Sequence, residues 1–207
     1  MIKYHVNVNK FSKIDSEESA YWLGFLYADG CLSENSRIGV MLQIRDKNHL
    51  EKLKNFLEWD NQVKVRQNGQ YTRCELVFRC KPMFQNLLEL GCHPRKSKDL
   101  LFPNRVQVPD NFLIPFIRGY CDGDGSLGKL KKGNIYYPRL SFCGTYSFID
   151  EMLNRTKWKR NKIRVRKDGL ALIEWQGKYA KEIGHLLYDN ANIYLDRKFE
   201  IVTNMPF

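Results

Sequence analysis

The tightest constraint on the fold of this chain is a repeat. The stretch Trp22-Leu23-Gly24-Phe25-Leu26-Tyr27-Ala28-Asp29-Gly30 returns 95 residues later as Ile117-Arg118-Gly119-Tyr120-Cys121-Asp122-Gly123-Asp124-Gly125, with the same spacing of small residues and the same closing Asp-Gly. The duplication runs further than one motif, as expected of a repeated domain. Val63-Lys64-Val65-Arg66-Gln67-Asn68-Gly69 is echoed by Ile163-Arg164-Val165-Arg166-Lys167-Asp168-Gly169. Each reads as a strand with apolar residues on one face and cations on the other, running into an Asn-Gly or Asp-Gly hairpin turn.

The rest of each half follows one order of elements. Ile38, Val40, Leu42 and Ile44 alternate with polar or small residues, as a half-buried strand requires, and Leu50, Leu53, Phe56 and Leu57 then recur at helical spacing. In the second half Leu140 and Phe142 precede Phe148, Ile149, Met152 and Leu153 in the same way. Met83, Phe84, Leu87 and Leu88, matched by Tyr179, Ile183, Leu186 and Leu187, predict one more helix per half. The expected class is therefore α+β, with two pseudo-symmetric halves at 1–92 and 110–207. Pro94, Pro103 and Pro109 break up the linker at 93–109.

Along the first motif helix, which Asp15 or Ser16 followed by Glu18 or Ser19 could open, with Asp15 and Glu18 at capping-box spacing, Ala20, Gly24 and Ala28 fall every fourth residue. Pro115, Gly119 and Gly123 hold the matching positions of the second, which Asp110 could cap. Glycine inside a helix costs about 1 kcal/mol against alanine, so two such ridges call for close packing of one helix on the other. Facing ridges would bring Asp29 and Asp124 side by side at the two helix ends. There the carboxylates repel each other and the helix dipoles disfavour them. Such an arrangement needs cations, and magnesium, which combines one or two carboxylates with water and substrate phosphate, suits it. A single Asp-Gly would read as a plain helix stop; two on matched ridges favour the metal site. A calcium loop opening at Asp122 fails, because its sixth and twelfth positions are Leu127 and Gly133.

Charge narrows the partners. A formal charge of +11 and a pI near 9.4 point to a polyanion. An anionic membrane is the competing surface, but no apolar run reaches spanning length, and Met1 to Asn7 lack the apolar core of a secretion signal. An intracellular protein is expected, in cytoplasm or organelle matrix. Six cysteines without a C-x-x-C pair and four histidines without ligand spacing argue against zinc and against a disulfide framework. The dense run of cations from Arg155 to Lys167 is interleaved with Trp158, Ile163 and Val165, so it reads as an ordered loop and strand facing a nucleic acid.

The paired motifs resemble the signature helices of LAGLIDADG homing endonucleases, in the form where one polypeptide carries both copies. Pro94-Arg95-Lys96-Ser97 and Tyr194-Leu195-Asp196-Arg197-Lys198 are similar to basic segments that recur in that family. The resemblance covers nearly the whole chain. It implies two αββαββα halves joined at the motif helices, with the sheets forming a saddle over double-stranded DNA. It further implies a monomer that makes a double-strand break at a long, non-palindromic site by magnesium-dependent hydrolysis, serving intron mobility. Asp29 and Asp124 would hold two or more Mg2+ ions. Lys81 would stand near the scissile phosphates; in the second half the register leaves Gly177 or Lys178, with Lys178 the candidate. Asp46 and Tyr146 fall where the family positions water. Asp122, whose counterpart is Tyr27, would be dispensable, and the asymmetry suggests unequal cutting of the two strands. An RNA-splicing maturase with intron RNA as partner, or a DNA-binding regulator that does not cut, are the other readings on this scaffold.

Base recognition would come from the outward strand faces, since a two-stranded ribbon fits the major groove, where Arg pairs with guanine and Gln with adenine. In the first half these are Arg37, Met41, Gln43, Arg45, Lys64, Arg66, Arg73 and Glu75, and in the second Arg139, Ser141, Thr145, Lys162, Arg164 and Arg166. Arg95, Lys96, Arg197 and Lys198 are expected to add DNA contacts.

Overall fold

A computed structural model describes residues 5–205; Met1 to Tyr4, which fall in the segment read above for a secretion signal, lie outside the described residues. The first half runs α1 (Glu17–Asp29), β1 (Gly30–Ser33), β2 (Arg37–Gln43), α2 (Lys47–Phe56), β3 (Lys64–Asn68), β4 (Tyr71–Arg79) and α3 (Lys81–Glu89). The second repeats the order as α4 (Leu113–Asp124), β5 (Gly125–Lys132), β6 (Ile135–Gly144), α5 (Tyr146–Thr156), β7 (Arg164–Val165), β8 (Ala171–Gln176) and α6 (Lys178–Tyr188), and adds α7 (Asp196–Thr203). Each half builds a four-stranded antiparallel sheet, in the orders β1-β2-β4-β3 and β5-β6-β8-β7. The α+β architecture is thus a duplicated one.

α1 is buried on every side from Ser19 to Tyr27, as an all-round apolar helix must be. It packs along α4, and the small residues explain how. A methyl group added to Gly24 would lie 1.9 Å from the Phe116 carbonyl oxygen, and one added to Gly119 would lie 1.9 Å from that of Tyr21. Ala28 sits against Gly123 further along. Backbone meets backbone at this seam, and Tyr21, Trp22, Phe25, Phe116 and Tyr120 fill the volume on either side of it. Overpacking costs typically about 1–3 kcal/mol and more where backbone must move, so Gly24→Ala should lower the unfolding free energy by at least that much, read as a lower denaturant midpoint at unchanged slope. Gly184→Ala is the contrast: its added carbon would meet Val202 at an ordinary 3.5 Å, so helix propensity should make it neutral or stabilising.

Several local expectations are settled or revised. Of the pairs that could open α1, Ser16 and Ser19 form the capping box, their side chains and backbone N–H groups bonding reciprocally, and Asp15 instead pairs with Lys13. Asp110 begins a short 3-10 turn ahead of α4 and binds Arg105 and Arg155. Val65 and Val165, placed on a core face by their alternation, are 52% and 62% exposed. Both stand on the outermost strand of their sheet.

Candidate active site and nucleic-acid interface

α1 and α4 each pass straight into a strand through the glycine that follows the terminal acid. Gly30 and Gly125 leave no room for a side chain, since an added carbon would stand 2.4 Å from the Leu26 carbonyl oxygen and 2.5 Å from that of Cys121. The tight turn leaves Asp29 and Asp124 at the emerging end of the seam. The Asp29 carboxyl packs against Gly123, 3.4 Å from where a methyl group there would sit. Asp29 is half-buried, while Asp124 keeps an open face to solvent. Burial, and then the neighbouring charge of Asp124, push the Asp29 carboxyl up to about 6, against the pull of Lys198, Lys96 and Arg197. Asp124 is raised too, by desolvation, with Lys96 and Lys198 opposing.

Two lysines expected among the DNA contacts stand beside these acids. Lys96 and Lys198, expected on the DNA surface, are 9% and 4% exposed. The Lys96 ammonium donates to the Gly30 carbonyl, and that of Lys198 donates to the carbonyls of Cys121, Asp122 and Gly125. Both therefore bind the carbonyl-rich helix ends beside the acids, where a cation is favoured. The Arg-Lys pair shared by Arg95-Lys96 and Arg197-Lys198 was the available signal. Their burial at the helix ends left no trace in local pattern.

Lys81 and Lys178, the lysines expected at the scissile phosphates, do not approach the acids. Both are exposed and both open a helix, α3 and α6, so the second-half register falls on Lys178. The ladders pair Gly30 with Val40 and Val40 with Leu76; Lys81 lies five residues beyond Leu76, towards the outer end of the sheet. Gly125, Phe142 and Ile173 set the same level in the second half, with Lys178 five residues beyond Ile173. At roughly 3.3 Å per residue, that is on the order of 15 Å from the helix ends. Lys178 pairs with Glu182 instead.

Each half's basic segment crosses to the other half. Arg197 donates through Nε to both carboxylate oxygens of Asp46, at 3.0 and 3.2 Å, and Asp46 is buried at the junction of β2 and α2. Lys52 reaches Asp196 and the Tyr194 carbonyl from the middle of α2. In the reverse direction the Thr145 hydroxyl, at the junction of β6 and α5, donates to the Leu100 carbonyl. Thr145, and not the exposed Tyr146, is thus the counterpart of Asp46, since each precedes the first residue of its helix. A cleft beside Asp124 is lined by Lys96, Ser97, Tyr120, Cys143 and Thr145.

Asp122 plays a different part from its neighbour. It is 1% exposed, and its carboxylate accepts from the hydroxyls of Tyr21 and Tyr188, both at 2.5 Å, and from the Leu195 N–H at 2.8 Å. Tyr21 is also bonded to the buried His49, whose pKa burial pushes down to about 3. Asp122 therefore ties α4 to α1, α6 and the approach to Lys198. It is a structural anchor, and its counterpart Tyr27 reaches the Leu90 carbonyl in the first half.

The sheet faces away from the helices carry most of the expected contact residues. Arg37, Met41, Gln43, Arg45, Lys64 and Arg73 are exposed on the first, joined by Arg79, which the sequence reading passed over. A broad groove there is bordered by Met41, Gln43, Arg45, Tyr71 and Arg73. On the second sheet Lys162 and Arg164 border a similar groove, and Arg166 is exposed. Arg66 and Arg139 are held by Glu75 and Glu174 across strands, at 2.7 and 2.6 Å. Ser141 and Thr145 are buried, at 2% and 8%, and Arg197 is engaged with Asp46, so these three leave the set of open contacts. Arg95 stays exposed, in a left-handed conformation.

Among the described residues no group of three or more His, Cys, Asp and Glu side chains could hold a metal ion. Two carboxylates are what the helix ends offer. That donor set does not fit zinc, but it fits a hard cation that completes its shell with water and phosphate oxygen. Among the described residues no helix is long and apolar enough to cross a membrane.

Comparison with solved structures agrees with this architecture. The meganuclease I-SmaMI bound to uncleavable DNA superposes with a TM-score of 0.60 at 13% identity, covering 88% of this chain and 85% of that one. The LAGLIDADG homing endonuclease I-GzeII in complex with its DNA target gives 0.58 at 11%, covering 88% and 87%. The LAGLIDADG meganuclease I-AabMI bound to uncleaved DNA gives 0.57 at 11%, over the same shares. I-SmaMI has also been solved on uncleaved DNA with calcium ions. The chain has the LAGLIDADG homing endonuclease fold, both motifs in one polypeptide. In sequence it is 25% identical over 150 residues to an uncharacterized protein of Methanocaldococcus jannaschii, across 67% of this chain; it spans about half, 52%, of that relative's length. No protein-family profile matches the chain.

Proposed function

We propose that this chain is a site-specific DNA endonuclease that cuts both strands of a long, non-palindromic duplex site in a magnesium-dependent reaction. The observation that carries the reading is the acid pair at the end of the glycine seam, flanked by two buried lysines and set between two cation-bearing sheet faces. A regulator that only bound DNA would have no use for two carboxylates held side by side and desolvated. The DNA-bound state of the solved neighbours supports the choice of substrate.

Asp29 and Asp124 would hold the ions. Magnesium, when bound, neutralises the scissile phosphate and activates water for hydrolysis. The protein's own groups do the rest. Lys198 and Lys96, fixed by helix-end carbonyls, place an ammonium beside each acid, where it offsets charge that builds on the phosphate. Arg197, held by Asp46, adds a cation at the Asp29 side, while Thr145 stands at the matching place by Asp124. The two sites are therefore unequal, and unequal strand rates are expected. Arg37, Gln43, Arg73, Lys64, Lys162, Arg164 and Arg166 would orient the duplex and read it from the major groove.

The test is to incubate the protein with a random duplex library and magnesium, and to sequence the ends produced. A shared sequence around paired cuts is expected; intact, bound duplex would identify a regulator instead. If about six to ten phosphates are neutralised, affinity should fall by roughly 10³–10⁵ between 50 and 200 mM salt, and a flat salt response in a filter-binding titration would exclude the two-sheet interface.

A further inference from the structure

The two halves differ most where their first hairpins end. β1 and β5 leave the acid pair at the same level, Gly30 opposite Val40 and Gly125 opposite Phe142. The β1–β2 ladder stops after four pairs, at Ser33 and Arg37, whereas the β5–β6 ladder continues for eight, to Lys132 and Ile135. Four more pairs at roughly 3.3 Å per residue carry the second hairpin about 13 Å further from the acids. The added length leaves the core behind. Leu127 and Leu140 are buried, but Lys129 and Lys131 are exposed, and Ile135 and Tyr136 are 58% and 51% exposed. The Lys131 ammonium lies 5.8 Å over the Tyr136 ring. The first hairpin offers no cation between Gly30 and Ser36, and its turn carries Glu34.

The first half has its own longer hairpin, but on the other side. β3 and β4 have 5 and 9 residues against 2 and 6 in β7 and β8. Because Arg73 pairs with Gln43 while Gly30 pairs with Val40, the β3–β4 turn lies at the inner end of the sheet. Its extra length adds contacts near the cut and does not extend the outer reach.

Resting on the DNA-binding reading above, we infer that the target is lopsided: the second half engages about four base pairs more of duplex flank than the first, through the β5–β6 hairpin. The ribbon has the width for a major groove, base pairs stack about 3.4 Å apart, and Lys129 and Lys131 supply the charge that phosphates on either wall require.

The test uses the full chain in magnesium-free buffer and a duplex recovered from the random library, shortened one base pair at a time from each end. Gel-shift affinity should fall by about tenfold or more when the longer arm is cut back to the length that the shorter arm tolerates. A Lys129→Glu, Lys131→Glu double variant, changed only at exposed positions beyond the core, should lose its dependence on that arm and keep its dependence on the other. Equal arm requirements would overturn the inference, as would a long-arm dependence unchanged in the variant, with the endonuclease reading intact. Failure to bind any duplex would bring down both, and is told apart from equal arms by the absence of a shifted band.

Discussion

Asp29→Asn and Asp124→Asn are each expected to abolish double-strand cleavage while leaving duplex binding in place. Losing a group that stabilises charge at the reacting phosphate costs roughly 10²–10³ in rate, and a metal ligand at least as much. The same change should make the metal-free protein more stable, which separates this site from an ordinary polar surface. The Asp29 carboxyl is raised from 3.8 to about 6 in the folded state. Between those values the unfolded chain has already released the proton that the folded chain keeps. Stability therefore falls as pH rises from about 4 to about 6, and levels off above it. Asp29→Asn removes that decline, so in chelator at pH 7 it should melt above the parent, and magnesium should narrow the gap by stabilising the parent alone. Thermal melts across this pH range, with chelator and with magnesium, read both effects. A variant that melts no higher than the parent would show that burial and the neighbouring acid do not strain the Asp29 carboxylate.

Lys198→Met and Lys96→Met should each convert the double-strand break into a nick, and on opposite strands. Lys96 is bound at the helix end that carries Asp29 and Lys198 at the one that carries Asp124, and both lysines oppose the rise of each acid, so one ammonium stands on either side of the acid pair. Removing one ammonium should slow its own strand by roughly 10²–10³ and leave the other. Lys198 also satisfies three carbonyl oxygens, so its loss should cost about 1–3 kcal/mol of stability as well; strand-resolved rates on end-labelled duplex at a temperature well below the melt keep the two effects apart. Lys81→Met and Lys178→Met serve as controls and should leave both strand rates near the parent's. Loss of cleavage in these controls, with Lys96→Met and Lys198→Met active, would return the role to the helix-start lysines.

Much of the architecture was legible in the chain because it was written twice. Alternation located β2 and β6, helical spacing located α2, α3, α5 and α6, and the small residues at Gly24 and Gly119 marked the seam. Local pattern misled where solvent exposure, and not periodicity, was decisive. Val65 and Val165 alternate like core residues but lie on edge strands, and Ser141 shares a strand face with Arg139 yet is covered. Lys129 and Lys131 escaped notice because only the extended ladder shows that they stand beyond the core.

The sequence by itself determined the duplication, the order of elements, the close approach of α1 and α4, and the acids at their ends. Those follow from residue spacing, and spacing is a property of the chain. Which cations join the acids was decided only in three dimensions. Lys96 follows Asp29 by 67 residues and Lys198 follows Asp124 by 74. What places them is the return of each basic segment to the end of its own motif helix, where helix-end carbonyls and the acid pair at the seam bury an ammonium that local sequence would assign to the surface.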